Sequence, residues 1–274
     1  RWIGNHEFDY CAPVVLEKAD KKITRENFLK IWDKLIKTLS KFDIIFLNNQ
    51  PELVGNFDNP FVKYLKNRFR SKNYYVSLNE NTDEFYNNLR NKHKNFDRFL
   101  RYKKKLIKNN NIIFNTFTSE TDEISIDDII KEKNKILKKK RKKSSLDEST
   151  IKINNQILKG KSNIILLSVL KINGTAVHAC ISYTYKNNLY YYISSDIKNS
   201  YLNYPIGSIF ISYVIEWCQK NGIEKFDFCL GDEKYKKLFS NQSQSISKFF
   251  YTKNLKGKII NLFINLILKF KYNK

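Results

Sequence analysis

The chain has 274 residues, 42% hydrophobic and 15% aromatic, which is enough for one large or two ordinary cores and excludes a disordered tail. Its 50 Lys and Arg against 27 Asp and Glu leave a net charge of +23, which attracts polyanions, nucleic acid or anionic membrane among them. The aromatics, however, sit in apolar runs and do not punctuate one basic stripe, so the stacking platform of a single-strand binder is not expected.

A mixed, apolar-rich segment over 2–15 carries Asp9-Tyr10. An amphipathic helix is predicted over 26–39, capped by Thr24, with Phe28, Ile31, Trp32, Leu35, Ile36 and Leu39 facing inward. Ile44-Ile45-Phe46-Leu47 reads as a short buried strand, 51–64 as a loop and 74–78 as another strand. Helices follow from 83 and over 96–108; the second is strongly basic around a spine of Phe99, Tyr102 and Leu106, which reads as a solvated face. After a strand at 112–117, a helix over 124–143 ends in a Lys/Arg run read as an exposed loop.

From 164 the pattern becomes an antiparallel meander. A strand at 164–170, an Asn173-Gly174 hairpin turn, a strand at 175–185 and a third at 189–194 follow one another. Alternation puts Ala176, His178, Cys180, Ser182 and Thr184 on one face and Val177, Ala179, Ile181, Tyr183 and Tyr185 on the other, so a face of small and polar side chains can floor a cleft. The helix at 208–220 is apolar nearly all round and therefore buried. Phe226-Asp227-Phe228-Cys229-Leu230 is a strand broken by Gly231, and Asp232 and Glu233 are placed to cap and charge a short helix bearing Tyr235, Leu238 and Phe239. A last strand is expected at 247–252. The apolar and lysine-rich tail at 258–272 reads as a docking helix, with an interfacial membrane helix as the other reading.

Cys11, Cys180, Cys218 and Cys229 show no zinc-ligand spacing and are expected as buried, reduced thiols of a cytosolic protein; no metal site is expected. No window reaches the roughly 18 consecutive apolar residues of a membrane span, and no signal-peptide pattern is visible. With no methionine and Arg1 first, an N-terminal piece is expected to be missing.

Two constellations can carry chemistry. In Tyr204-Pro205-Ile206-Gly207-Ser208, Pro205 stiffens a helix entry and Gly207 admits a ligand to the backbone. The free N–H groups of the first turn can then hold a pyrophosphate. The second is the acidic stretch from Asp227 to Lys236. In this order, Tyr201, Tyr204-Pro205-Ile206-Gly207 and Phe226-Asp227-Phe228-Cys229-Leu230-Gly231-Asp232-Glu233-Lys234-Tyr235-Lys236 resemble the GNAT-type acetyltransferases of the FemAB-like superfamily. The subgroup resembled is the one related to cellulose and exopolysaccharide biosynthesis. The resemblance is most specific over 164–239.

The resemblance implies an α+β fold with a GNAT-like mixed, mostly antiparallel sheet, flanking helices and two GNAT-like halves. The boundaries expected are a degenerate or trimmed N-terminal half at 1–118, a helix and basic linker at 119–160, a catalytic half at 161–254 and an amphipathic helix at 255–274. It implies a bacterial, cytoplasmic N-acyltransferase, free or peripheral at the inner membrane face through the last helix. The co-substrate would be acyl-CoA, acetyl-CoA first, held by Tyr201, Tyr204, Pro205, Ile206, Gly207 and Ser208. The acceptor would be a small-molecule or glycan amine, such as an amino sugar in polysaccharide or envelope assembly. Because 201–208 offers one glycine where the usual pyrophosphate loop has two small positions, the aminoacyl-tRNA donor used by FemAB relatives stays open, with tRNA as partner and a peptidoglycan-type precursor as acceptor. A third reading is an inactive GNAT-shaped module that binds an anionic polymer or membrane. Asp227, Asp232, Glu233 and His178 are the candidates for base, Tyr235 for thiolate acid and Lys236 for steering anionic groups; His178 reads equally as a hydrogen-bonded core histidine. Asp227 can instead orient Tyr235 or the turn.

Overall fold

The computed structural model describes residues 10–13, 23–39, 42–54, 57–66, 68–78, 81–119, 121, 123–142, 144, 146–160, 164–198 and 200–272, with the backbone alone at 68 and 268–272. Most of the opening segment, Asp9 included, lies outside the described residues, as do Lys143 and Ser145 of the basic run. In chain order the elements are α1 (Arg25–Thr38), β1 (Ile44–Pro51), β2 (Leu53–Val54), β3 (Phe57–Asp58), α2 (Pro60–Tyr64), β4 (Arg68–Ser77), α3 (Thr82–Lys92), α4 (Phe96–Asn109), β5 (Ile112–Phe117) and α5 (Ile126–Lys139). There follow α6 (Glu148–Lys159), β6 (Ile165–Ile172), β7 (Thr175–Tyr185), β8 (Asn188–Asp196), α7 (Ile206–Lys220), β9 (Lys225–Leu230), α8 (Lys234–Phe239), β10 (Gln242–Thr252) and α9 (Leu255–Tyr272). Two compact units result, Arg1–Lys72 with Gln244–Lys274, and Asn73–Ser243.

In the first unit β1 pairs antiparallel with β10. Thr24 caps α1 by accepting a hydrogen bond from the Asn27 N–H at 3.2 Å, and Phe28, Trp32 and Ile36 bury one stripe against Phe61, Val62 and Phe249. That stripe is narrower than expected: Ile31, Leu35 and Leu39 are exposed, as is Phe46 on β1. The stretch expected as loop contains α2, because buried Asn59 caps it through the Phe61 N–H and donates to the Pro51 carbonyl.

The second unit carries a run of hydrogen-bonded strands in the order β4-β9-β8-β7-β6-β5. Its pairs are antiparallel except for β8 with β9, which are parallel because the helix α7 connects them. This is the mixed, mostly antiparallel sheet with flanking helices that the sequence led one to expect. The hairpin turn is as expected, with both Asn173 and Gly174 at positive φ, 51° and 78°.

Alternation along β6 feeds two cores. Leu166, Leu170 and Ile172 join Phe85, Leu89, Phe96, Phe99, Leu106, Phe210, Ile215 and Phe239 under α3, α4, α7 and α8. Ile165, Leu167 and Val169 join Ile126, Ile129, Ile130 and Leu158 under α5 and α6. Helix α6, capped by Asp147, had no separate place in the sequence reading.

Two register shifts break the alternation of the meander. Leu170 pairs with His178 but Lys171 with Ala176, so Val177 is an extra residue in β7. Val177 therefore packs in the first core and Ala176 against the second, the reverse of the faces expected for this pair. On β8, Ile193 pairs with Ile181 and Tyr191 with Ser182, so Tyr192 is likewise extra. Tyr191 then faces the first core and Ile193 the second. Further corrections fall at the ends of helices. Asp232 is not a cap: Glu233 holds the N-cap position of α8 and makes no side-chain cap bond. The tail expected to dock forms α9 with Leu255, Ile259, Leu262, Phe263, Leu266 and Ile267 exposed.

Candidate active site

Parallel pairing of β8 and β9 runs from Asn188 and Lys225 to Tyr190 and Asp227 and then stops, although β8 continues to Asp196 and β9 to Leu230. Past that point a cavity of about 320 Å³ is lined by β7, β8, Lys198, the 201–205 segment, the first turns of α7 and Tyr235. His178, Tyr201, Tyr204, Pro205, Ile206, Gly207, Ser208 and Tyr235, eight of the residues singled out in the sequence, line it. So do Tyr191, Ser194, Asp196, Lys198, Leu202 and Ile211, which the sequence reading did not single out.

His178 is 94% buried, from a relative exposure of 6%. Its Nδ1 lies 2.7 Å from Asp196 Oδ1 and its Nε2 makes no hydrogen bond. The two residues are directly opposed in the β7–β8 ladder. The hydrogen bond from His178 holds the Asp196 carboxyl below the ordinary carboxylate range, against the opposing effect of its partial burial. With Asp196 anionic, Nδ1–H is the donor to it, which makes Nε2 the acceptor whenever the imidazole is neutral. The imidazole packs on the Phe210 ring at 4.6 Å between centroids.

Asp196 was not legible because the Tyr192 bulge decides where it points. In a regular strand Tyr191, Ile193 and Ser195 would share one face, and Ser194 and Asp196 would lie behind the cleft. The inserted residue turns both toward α7.

Helix α7 has Pro205 at its N-cap, with no side-chain cap bond and no acid in its first turn. The Ile206 N–H donates to the Tyr204 carbonyl at 2.9 Å, and those of Gly207 and Ser208, which find no carbonyl inside the helix, sit at the positive end of its dipole on the edge of the cavity. Gly207 sits beside the imidazole: a Cβ there would be 3.5 Å from His178 Cε1. Tyr204 is set by a turn hydrogen bond to the Tyr201 carbonyl and an edge contact with Tyr102. Tyr235 packs edge-on to Phe228, and burial, reinforced by the charges of Glu233 and Cys229, pushes its phenol well above the ordinary tyrosine range. Lys133 reaches from α5 to the Ser194 carbonyl at 2.9 Å, and burial lowers its pKa.

The acidic stretch is brought near the cavity only at Tyr235. Asp227 is fully buried; Oδ1 accepts from Asn73 Nδ2 at 3.1 Å and from the Cys229 N–H at 2.8 Å, and Oδ2 lies 3.0 Å from Lys225 Nζ. The Cys229 bond holds a non-glycine residue at φ 58°, which lets the strand turn into Gly231 at φ 124°. Lys236 is 97% buried, from 3% exposure, with its ammonium on the Cys229 and Leu230 carbonyls and on Glu233 Oε2 at 3.0 Å. Glu233 is folded back over Gly231, whose Cβ it would overlap. Asp232 is exposed and bonded to Tyr74 and Lys237. These four residues shape the strand end and do not line the cavity.

Residues 93–237 match the family model for the acetyltransferase (GNAT) domain, over half of the 274 residues. No curated protein matches. Among solved structures, FemX is similar at 10% identity and a TM-score of 0.58, over 93% of this chain and 84% of that one. The C-terminal domain (DUF2156) of a candidate lysylphosphatidylglycerol synthetase of Agrobacterium fabrum is similar at 10% identity and 0.56, over 91% and 79%. Such likeness speaks to the fold alone. The chain belongs to the acetyltransferase (GNAT) domain family.

Proposed function

We propose that this protein is an N-acyltransferase that moves an acyl group, acetyl first, from acyl-CoA to a primary amine, with His178 as general base. The observation that carries this reading is the His178 Nε2, buried, unpartnered and held as an acceptor by Asp196, in a cavity bounded by an uncapped helix N-terminus. The first turn of α7, at Gly207 and Ser208, would take the pyrophosphate of the coenzyme, and Tyr201 and Tyr204 would flank it.

An amine arrives as ammonium and must lose a proton before it attacks. His178 Nε2 takes that proton and passes it to solvent, and the free amine forms a C–N bond at the thioester carbonyl carbon. As the C–S bond breaks, the second nitrogen proton leaves for the thiolate by way of the same imidazole. A coenzyme thiol titrates near a cysteine thiol, about 8.5. A phenol raised above its ordinary range would give up its proton uphill to such a thiolate. Tyr235 therefore acts by hydrogen bonding to the leaving sulfur, and Asp196 positions the base. Asp227, Asp232, Glu233 and Lys236 support the strand end in this scheme. An amino-sugar acceptor of the polysaccharide-related subgroup, and a chain of two GNAT-like halves, belong to the same reading.

A second reading, transfer of an aminoacyl group from tRNA, draws on the single glycine in 201–208, the +23 charge and the fold shared with FemX. The same base and the same proton accounting serve an ester donor. Mass spectrometry of an amine library incubated with acetyl-CoA, and separately with charged tRNA, tests both. N-acetylated products that disappear in His178→Gln support the first reading. Aminoacylated products from tRNA alone would replace it, and anionic-polymer binding with no product from either donor would make the protein a binding module.

A further inference from the structure

The apolar face of α9 has no partner within the described residues, yet the root of the helix is firmly held. Gly257 is buried against the chain just before β1, where a Cβ would stand 1.9 Å from the Asp43 carbonyl oxygen. Its N–H donates to Asn254 Oδ1 at 2.9 Å, and Asn254 donates in turn to Asp43 at 2.8 Å. From that root Leu255, Ile259, Leu262, Phe263, Leu266 and Ile267 recur at helical spacing, between 46% and 73% exposed. They form one stripe about 18 Å long at 1.5 Å per residue. The helix sequence contains no acid, and lysines stand at 256, 258, 269 and 271, near its two ends; Lys256 is paired with Asp43 at 3.1 Å. No described helix is long and apolar enough to cross a membrane.

We infer that α9 is an interfacial helix that lies on an anionic phospholipid surface, with the stripe among the acyl chains and Lys258, beside the buried root, at the headgroups. Charge complementarity selects this occupant over a second copy of the chain, because pairing two such faces would bring acid-free, lysine-bearing helices together. Buried apolar area and lysine attraction would act jointly, and both are needed for a surface helix.

The test is co-sedimentation of the full chain with phosphatidylcholine vesicles, alone or mixed with phosphatidylglycerol. Binding to the mixed vesicles only, weakened by salt, is expected. Leu262→Gln with Phe263→Gln should weaken partition about thirtyfold from the apolar area withheld. Both side chains are exposed, so circular dichroism should be unchanged in the double variant. A Leu266→Trp probe should blue-shift on the mixed vesicles. The inference is overturned if the folded protein ignores phosphatidylglycerol, or if the double variant binds as well as the parent. A dimer by light scattering that the double variant dissolves, with no vesicle binding, would give the stripe to a second copy instead.

Discussion

Asp196→Asn separates a positioning role from a structural one. The carboxylate and the amide have nearly the same shape, so the 2.7 Å contact with His178 Nδ1 can persist. The direction of the bond is free to reverse, because the amide N–H can donate to Nδ1. The ring proton then moves to Nε2, which becomes a donor facing the cavity and can no longer accept from the amine. The rate should fall by the ordinary worth of a general base, about 10²- to 10⁴-fold. Stability should fall far less. The Asp196 side chain is 49% exposed, so the pair is largely screened and its loss costs under about 1 kcal/mol. The assay is thiol release from acetyl-CoA with the best amine found in the library, beside urea unfolding. Ring-nitrogen NMR gives a readout independent of the donor: the chain has three histidines, and His178→Gln identifies one set of signals. Parent protein should show the Nδ1–H tautomer at His178 and Asp196→Asn the Nε2–H tautomer. A rate within threefold of the parent, or an unchanged tautomer with a full loss of rate, would refute the argument.

Gly207→Val should block the space over the imidazole and depress turnover about tenfold or more, with urea unfolding shifted by less than about 1 kcal/mol because only a 3.5 Å contact is crowded. Gly231→Ala should destabilise by about 2–3 kcal/mol in urea unfolding; Glu233→Ala in the same chain should relieve the overlap but not the strain at φ 124°. Lys236→Met should cost about 3 kcal/mol by leaving two carbonyls and Glu233 without their cation; a variant of parental stability would remove the strand-end role. Because the Asp196 pKa is depressed in the folded state, its contribution to stability is present above the unfolded value of 3.8 and lost as pH falls through the lower folded value. The difference in melting temperature between parent and Asp196→Asn should therefore shrink as pH falls below 3.8.

Local chemistry sufficed for much of this protein. Hydrophobic periodicity and turn residues place β5 and β7 at their observed ends and the Asn173-Gly174 hairpin at its turn. The resemblance carried by Tyr201 to Gly207 and Phe226 to Lys236 implied the GNAT fold, and the Tyr204 to Ser208 helix entry lines the cavity. Burial could not be read in the same way. Periodicity shows which residues share a face, but not whether a neighbour covers that face, so α1 and α9 expose apolar residues expected inside.

The site turned on backbone register, which has no signature in residue type. A single extra residue at Tyr192 rotates Ser194 and Asp196 toward α7 and gives His178 its partner. At the other strand end, Cys229 at positive φ and the buried Lys236 and Asp227 draw the conspicuous acids away from the cavity. Composition and spacing thus determined which chemistry the chain can hold. Only the tertiary structure decided which carboxylate meets the imidazole, because a one-residue slip in a strand changes the face of every side chain after it.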